Sequence, residues 1–436
     1  MKPFAASPVA DTRAHYSIAQ RVTLQVYRVV AMSLGIWLLL GPLPSIAQKL
    51  PAAAADGGIG WYAARQLKAG HDPCDPVELQ KAGITGLGQP PTVAIWFLPF
   101  ASLTAEQMGT DLRLLAIFAL IAHLTVLAFE LGAATPIALT VLTFGFLFSR
   151  QFFLYHLDVG QISELIACWI VATWLFLRRD EDIAAGVCLG LACTMKLYPA
   201  VIALFFIASG RWRALAASVV TYAAVIVAVT VRWGWRLWPH FIASDKDLVN
   251  FWVSSVHNGS LYGILTRALQ PLGGRQPPSH TATALFIVIA SLLIAFFFVF
   301  SRKNARDRHD WELSFAFVAV LGPFLHPVAW EHYAVLWILP IGIAITRMGR
   351  MTQWRNRLVT GFVLFLACYA MSLPMHYRSL FMRSWVLSPM NRLGLRFYDV
   401  ANWLPAVLLL ALFAVLLVSS DKRLSASPAA FEPIRN

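Results

Sequence analysis

The chain has 436 residues, 58% hydrophobic and only 13% charged, with a mean hydropathy of +0.64. A soluble core of this size needs no such excess of apolar residues, so the composition excludes an ordinary soluble enzyme and indicates a polytopic membrane protein. The formal net charge of +13 suggests nucleic acid at first sight, but many of the cations flank apolar runs, where topology and lipid phosphate account for them and no nucleic-acid partner is expected.

The apolar runs are continuous rather than alternating, which predicts helices, and a lipid core leaves no other open structure able to satisfy its backbone. A polar and mixed segment over 1–28 precedes the first span, Val29 to Ala47, which has no small-residue cleavage site and reads as a retained helix. A polar loop comes next, to about residue 90, opening on Asp56-Gly57-Gly58 and running through Trp61-Tyr62-Ala63-Ala64 to Gly70-His71-Asp72-Pro73. Beyond it lie three apolar segments, about 91–103, 111–131 and 135–149, and parity requires an even number of them to cross.

Further spans are expected at 161–177, 214–231, 281–301, 312–325, 333–346, 357–374 and 401–419, giving about twelve crossings in a membrane domain over 29–419. Between Ile183 and Ala208 the run is interrupted by Lys196-Leu197-Tyr198-Pro199, which predicts two short helices meeting at a lysine. Arg178 and Arg179, Arg211 and Arg213, Arg302 to Arg308, Arg347 to Arg357, and Lys422 with Arg423 mark the cytoplasmic side by the positive-inside bias. Both termini, including the 420–436 tail, then face the cytoplasm. The non-cytoplasmic face receives the loops at about 48–90, 232–280 and 375–400.

Ionisable groups at membrane depth are costly and ask for a partner or a role. Asp56 suits either an N-cap for the helix after it or a general base that takes a proton from an attacking hydroxyl. Lys196 at the broken helix either snorkels to the interface or meets a phosphate. His326, Glu331 and His332 lie close in sequence, but their order and Pro327 do not fit a zinc-protease helix, so no metal site is expected and hydrogen bonding to a substrate is preferred. Trp330 and Tyr333 beside them suit interface anchoring. Arg378, Arg383, Arg392 and Arg396 fall on the non-cytoplasmic side against the usual bias, and their forked groups suit lipid head groups or a donor phosphate. Of five cysteines only Cys74 lies in a loop, so no disulfide framework is predicted.

Five segments in this order resemble a known family: Asp56 with Trp61-Tyr62-Ala63-Ala64 and Gly70; Pro90-Pro91 with Pro99; Gly160-Gln161-Ile162-Ser163; Gly190 with Lys196 and Pro199; and Trp330-Glu331-His332. The family is that of the polyprenol-phosphate-mannose-dependent mannosyltransferases and their arabinofuranosyltransferase relatives. The resemblance implies an all-α polytopic membrane protein with the C-type glycosyltransferase fold and short surface helices in its first loop. It implies inverting transfer of a sugar from a polyprenyl-phosphate donor, with mannose preferred and arabinofuranose as the alternative. The acceptor would be a glycolipid or envelope glycan hydroxyl at the outer face of the cytoplasmic membrane, with no cofactor.

By the same resemblance Asp56 is the base, and Gln161, Lys196, Asn258, Tyr262, His326, Glu331 and His332 are candidates for holding sugar and phosphate. The sequence departs from the family at Gln89, where an aromatic residue is usual, at Gly259 in place of glutamine, and at Glu331 in place of aspartate. A transporter of lipid-linked sugars shares the broken helix, but no internal repeat is visible. An inactive scaffold subunit would tolerate loss of the acid, and Asp56 is retained.

Overall fold

A computed structural model describes residues 57–131 except 85, 159–269, 277–304, 310–349, 351, 353–382 and 389–425, with backbone alone over 128–129, 303–304, 371–382, 389–398 and 420–425. All regular structure among them is helical. Two surface helices, α1 (Gly57–Lys68) and α2 (Pro76–Lys81), are followed by the short α3 (Val93–Phe97) and a 3-10 turn, Leu98–Phe100. Together these last two pieces are far too short to cross about 30 Å of hydrocarbon, so the 91–103 segment does not cross as a helix. The first expected span and the 135–149 segment lie outside the described residues.

The remaining helices are α4 (Ala105–Leu131), α5 (Ser163–Arg178), α6 (Asp182–Met195), α7 (Ala203–Ser209), α8 (Trp212–Trp233), α9 (Leu237–Trp252), α10 (Leu261–Leu269), α11 (His280–Asn304), α12 (Trp311–Leu325), α13 (Ile338–Gly349), α14 (Trp354–Met382) and α15 (Pro389–Ser425). Among the described residues, five stretches, Ala105–Leu127, Trp212–Trp233, His280–Arg302, Glu331–Gly349 and Asp399–Ser419, are long and apolar enough to cross a membrane. Shorter apolar helices lie between them at Asp182–Met195, Tyr198–Ser209 and Trp311–Leu325.

Burial divides these helices into a core and a periphery. α12 is apolar all round and buried on nearly every side, as a helix surrounded by other helices must be. α8 and α11 keep Val219, Val220, Val231, Ile287 and Leu292 exposed, the surface that lipid tails would cover. Phe205 packs on Trp311 and Phe315, and Phe297 stacks on Phe317, so aromatic rings fill the space between α7, α11 and α12.

One end of the bundle is laced by ion pairs. Arg179 meets Glu130 at 2.9 Å, Arg178 approaches both Glu130 and Glu312, Arg211 meets Asp182 at 2.6 Å, and Arg347 meets Asp310 at 2.7 Å. These are the arginines that the charge pattern assigns to the cytoplasmic side. The start of α5, the end of α6 and the end of α12 lie at the other ends of their helices. The polar residues of interest collect there.

Candidate active site

The break expected at Lys196 is present and has a simple construction. α6 stops at Met195, Lys196 is fully extended (φ −152°, ψ 153°), and the chain resumes as a 3-10 turn over Tyr198–Ile202. Pro199 cannot donate a backbone hydrogen bond, so the helix cannot run straight through. The carbonyl of Thr194 released by the break accepts the Thr92 hydroxyl at 2.7 Å, and Trp96 Nε1 donates to Thr194 Oγ1 at 2.9 Å. The segment after Pro90-Pro91 thus caps the broken end.

Gly322 on α12 faces the same break. A Cβ there would lie 2.8 Å from the Tyr198 carbonyl oxygen, so only glycine lets α12 pass this close.

Lys196 is 5% exposed. Its Nζ donates to Gln161 Oε1 and to the Tyr333 hydroxyl, each at 3.2 Å, and stands 4.6 Å from the Tyr333 ring centroid. Gln161 comes from the turn ahead of α5, and Tyr333 from a 3-10 stretch over Glu331–Trp337. Three segments far apart in sequence therefore meet at one buried ammonium. Burying a cation carries a desolvation cost that an anion at the same place offsets.

Around this point the rings form a continuous cluster. Tyr198 packs on Tyr333 at 4.8 Å, His332 meets Tyr333 edge-on at 4.9 Å, and His326 lies 5.9 Å from Tyr198. His326 sits in the turn between α12 and the 3-10 stretch, where its Nδ1–H donates to the Val328 carbonyl at 2.8 Å and leaves Nε2 as the acceptor nitrogen. Burial is the main reason its pKa falls to about 4; the Val328 hydrogen bond opposes the shift, and the Lys196 ammonium adds to it. His326 is therefore neutral at pH 7.

Glu331 is held from the opposite side. His257 Nδ1 lies 2.7 Å from Glu331 Oε1, and the Glu331 side chain is 4% exposed. Trp330 is wedged edge-on against Trp252 at 5.0 Å. Phe324, Trp330, Glu331, Tyr333, Trp337 and Asn402 line a small groove of about 20 Å³ between the end of α12, the 3-10 stretch and α15, room for about one water molecule.

The structure thus gathers Gln161, Lys196, His326, Glu331 and His332. Asn258 has a different place. It is fully buried, its Nδ2 donates to the Val253 and Pro327 carbonyls, and its Oδ1 accepts from Ser260 N and Ala329 N, so both ends of the amide are engaged by protein. Asn258 ties the 253–260 loop to the 326–331 turn, which is a bracing role rather than a sugar contact. Tyr262 also stands apart, its hydroxyl 2.8 Å from Thr283 Oγ1 and its ring on Phe286 of α11.

Asp56 and Arg383 lie outside the described residues. Arg378 falls in α14, and Arg392 and Arg396 fall in α15, where only the backbone is described.

Sequence reasoning missed His257, Arg267 and Asn402. The Arg267 guanidinium donates to the Ser255 and Asn258 carbonyls and pairs with Asp399, and Asn402 Nδ2 donates to the Val256 carbonyl at 2.7 Å. The signal available was local, a histidine directly before Asn258-Gly259-Ser260, while the partners are distant. Gly259 explains one departure from the family pattern: a Cβ there would stand 2.8 Å from the Asn402 carbonyl oxygen, so α15 approaches too closely for a side chain.

Comparison with known proteins bears directly on this arrangement. The family model of glycosyltransferase family 87 matches residues 89–327, more than half of the chain, and its span includes Gln161, Lys196, His257 and His326. The chain belongs to glycosyltransferase family 87. It is 25% identical over 294 residues to a polyprenol-phosphate-mannose-dependent alpha-(1-2)-phosphatidylinositol mannoside mannosyltransferase of Mycobacterium tuberculosis, covering 64% of this chain and 65% of that protein. A phosphatidylinositol pentamannoside mannosyltransferase of the same species, also polyprenol-phosphate-mannose-dependent, is 29% identical over 194 residues, 43% of this chain and 40% of the relative. One of Mycolicibacterium smegmatis is 25% identical over 207 residues, 47% of each chain. The matches span between two fifths and two thirds of the lengths of these relatives.

Proposed function

We propose that this member of glycosyltransferase family 87 transfers a mannosyl group from a polyprenyl-phosphate donor to a hydroxyl of a phosphoinositide-type glycolipid at the outer face of the membrane. The observation that supports this most is the buried Lys196 ammonium at a helix break, cradled by Gln161 and Tyr333 within the span that the family model matches. A buried cation at the membrane-facing end of a bundle suits the phosphate of a lipid-linked donor. The mannose, the polyprenol carrier and the inositol lipid are taken from the names of the relatives.

In the proposed reaction Asp56 takes the proton from the acceptor hydroxyl, whose oxygen attacks the anomeric carbon from the face opposite the phosphate. The new glycosidic bond forms as the bond between the anomeric carbon and the phosphate oxygen breaks, and the electron pair leaves with polyprenyl phosphate. One displacement gives inversion. Lys196 stabilises the charge that grows on the departing phosphate. Glu331, held by His257, and neutral His326 offer acceptors to sugar hydroxyls, while Asn258 acts by holding the turn that carries them. Phosphate is already a tolerable leaving group, so the step as written calls for no cofactor.

The test is transfer from synthetic polyprenyl-phosphate mannose to phosphatidylinositol mannosides in proteoliposomes, comparing the native chain with Asp56→Asn. We expect the variant to insert normally and to lose at least about two orders of magnitude in rate. Equal turnover by both chains removes Asp56 from the mechanism. Donor flipping without transfer overturns the enzymatic reading in favour of a transporter.

A further inference from the structure

A second polar feature lies away from the Lys196 cluster, where α1 meets the elbow between α8 and α9. Trp233 Nε1 donates to the Leu67 carbonyl at 2.8 Å, and His240 Nδ1 meets Asp72 Oδ2 at 2.6 Å. These two contacts staple the last turn of α1 to the end of α8 and the start of α9. They bring together Arg65 and Lys68 from α1, Arg232 from the last turn of α8, and Arg236 at the N-cap of α9. All four side chains belong to exposed residues.

None of the four makes an ion pair with a carboxylate among the described residues. Arg65 instead lies over Trp61 with its guanidinium carbon 4.7 Å from the ring centroid, and Arg232 lies over Trp233 at 5.5 Å. Trp235 is exposed beside them. Elsewhere in the bundle arginines find acids readily, as Arg179, Arg211 and Arg347 do. At the ends of α1 and α8 the helix dipoles account for part of the placement, since cations are favoured at C-termini. The dipole does not account for Arg236, because a cation at the start of a helix is disfavoured. Four exposed cations that make no ion pair among the described residues, two of them lying over tryptophan rings, form a surface for a phosphodiester at the membrane boundary.

We infer that this patch of Arg65, Lys68, Arg232 and Arg236 binds the phosphodiester of the anionic glycolipid acceptor, so that α1 acts as a spacer between the lipid phosphate and the reacting sugar. The inference rests on the function proposed above and names the acceptor as a phosphate-bearing lipid. Arg65 lies eight residues beyond Gly57, the chain neighbour of Asp56, which corresponds to roughly 12 Å along a helix. A phosphate anchored at the patch leaves that length for the head group before its hydroxyl reaches the proposed base. The cations therefore select acceptors by charge and by the distance from phosphate to hydroxyl.

The experiment compares the native chain, Arg65→Gln/Arg232→Gln and Arg65→Lys/Arg232→Lys in proteoliposomes with polyprenyl-phosphate mannose. Two acceptors are used: a phosphatidylinositol mannoside and an alkyl mannoside that lacks the phosphodiester. The glutamine variant should raise KM for the phosphodiester acceptor about tenfold, with kcat within about twofold and no change in KM for the alkyl mannoside; a tenfold change matches one charge-assisted contact. The lysine variant should recover most of the loss.

A parallel rise of both KM values, or an unchanged ratio between the two acceptors, overturns the assignment. Retention of phosphatidylglycerol by the detergent-purified chains is measured alongside. Equal retention by native and glutamine variants also overturns it, whether or not transfer is seen. Failure of the native chain to transfer mannose to either acceptor counts against the proposed function instead.

Discussion

Replacing Lys196 by methionine separates the chemistry of this cation from its packing. The methionine side chain keeps most of the apolar stem and removes the charge and the hydrogen bonds to Gln161 and Tyr333. A charge-assisted hydrogen bond to phosphate contributes about 1.5–3 kcal/mol, which at 1.36 kcal/mol per decade corresponds to a loss of roughly 10- to 150-fold in kcat/KM. Stability should move in a different way. Gln161 and Tyr333 lose a donor at about 1 kcal/mol each, which in a chain of this size lowers the unfolding temperature by only a few degrees. Lys196→Arg should not restore activity, because the lysine is 5% exposed and the larger planar fork has no room between Gln161 and Tyr333. The assay is mannosyl transfer in proteoliposomes with thermal unfolding measured on the same preparations. Full activity in the methionine variant, or a loss of activity that merely tracks a loss of fold, refutes the role given to the ammonium.

Three further outcomes are expected. His257→Leu should lower kcat/KM by roughly 10- to 100-fold, because Glu331 loses its 2.7 Å partner, whereas His257→Asn, which can still donate from the position of Nδ1, should recover much of it in the same kinetic assay. Asn258→Ala should cost about 3 kcal/mol or more of stability, since it abandons hydrogen bonds with Val253, Pro327, Ser260 and Ala329 inside the protein, and the measurement is the midpoint of thermal unfolding in detergent. The lowered pKa of His326 means that the folded chain resists a proton that the unfolded chain accepts below about pH 6.5; stability should therefore fall as pH drops from 6.5 towards 4, by up to about 1.4 kcal/mol per unit, with a flatter profile in His326→Gln.

Much of the fold was legible because hydropathy reports burial or lipid contact directly. The expected spans at 214–231, 281–301 and 312–325 are α8, α11 and α12 to within a few residues at each end. The break at Lys196 was legible from Pro199, whose missing donor acts locally. The 333–346 span was less so: its first half winds as a 3-10 stretch from Glu331 to Trp337 before α13 begins, and tertiary contacts of Tyr333 rather than its own composition fix that geometry. The 91–103 run is apolar enough to suggest a crossing, yet its side chains fold back on α1 and α6 as a short helix and turn.

The site was legible where a charged residue stood alone in an apolar run and opaque where two ordinary residues meet across the chain. Lys196 and Glu331 stand out in sequence because each is expensive at that depth. His257 does not, since its importance lies in a carboxylate 74 positions away. Asn258 illustrates the reverse error, in which a polar residue within a recognisable motif suggests substrate contact. Its amide is consumed by the two loops it joins, and only the three-dimensional hydrogen-bond arrangement distinguishes those possibilities.

The lone extended residue between α6 and the next 3-10 turn makes the count of residues there as important as their identity. Deletion of Lys196 would shift the register of the downstream turn. Leu197, which is 42% exposed, would then take the place of the ammonium, and the Tyr198 ring would leave Tyr333. Length changes that surface loops absorb without harm would here exchange a cation for a hydrocarbon at the heart of the cleft, so this junction behaves as a reading frame for the chain that folds around it.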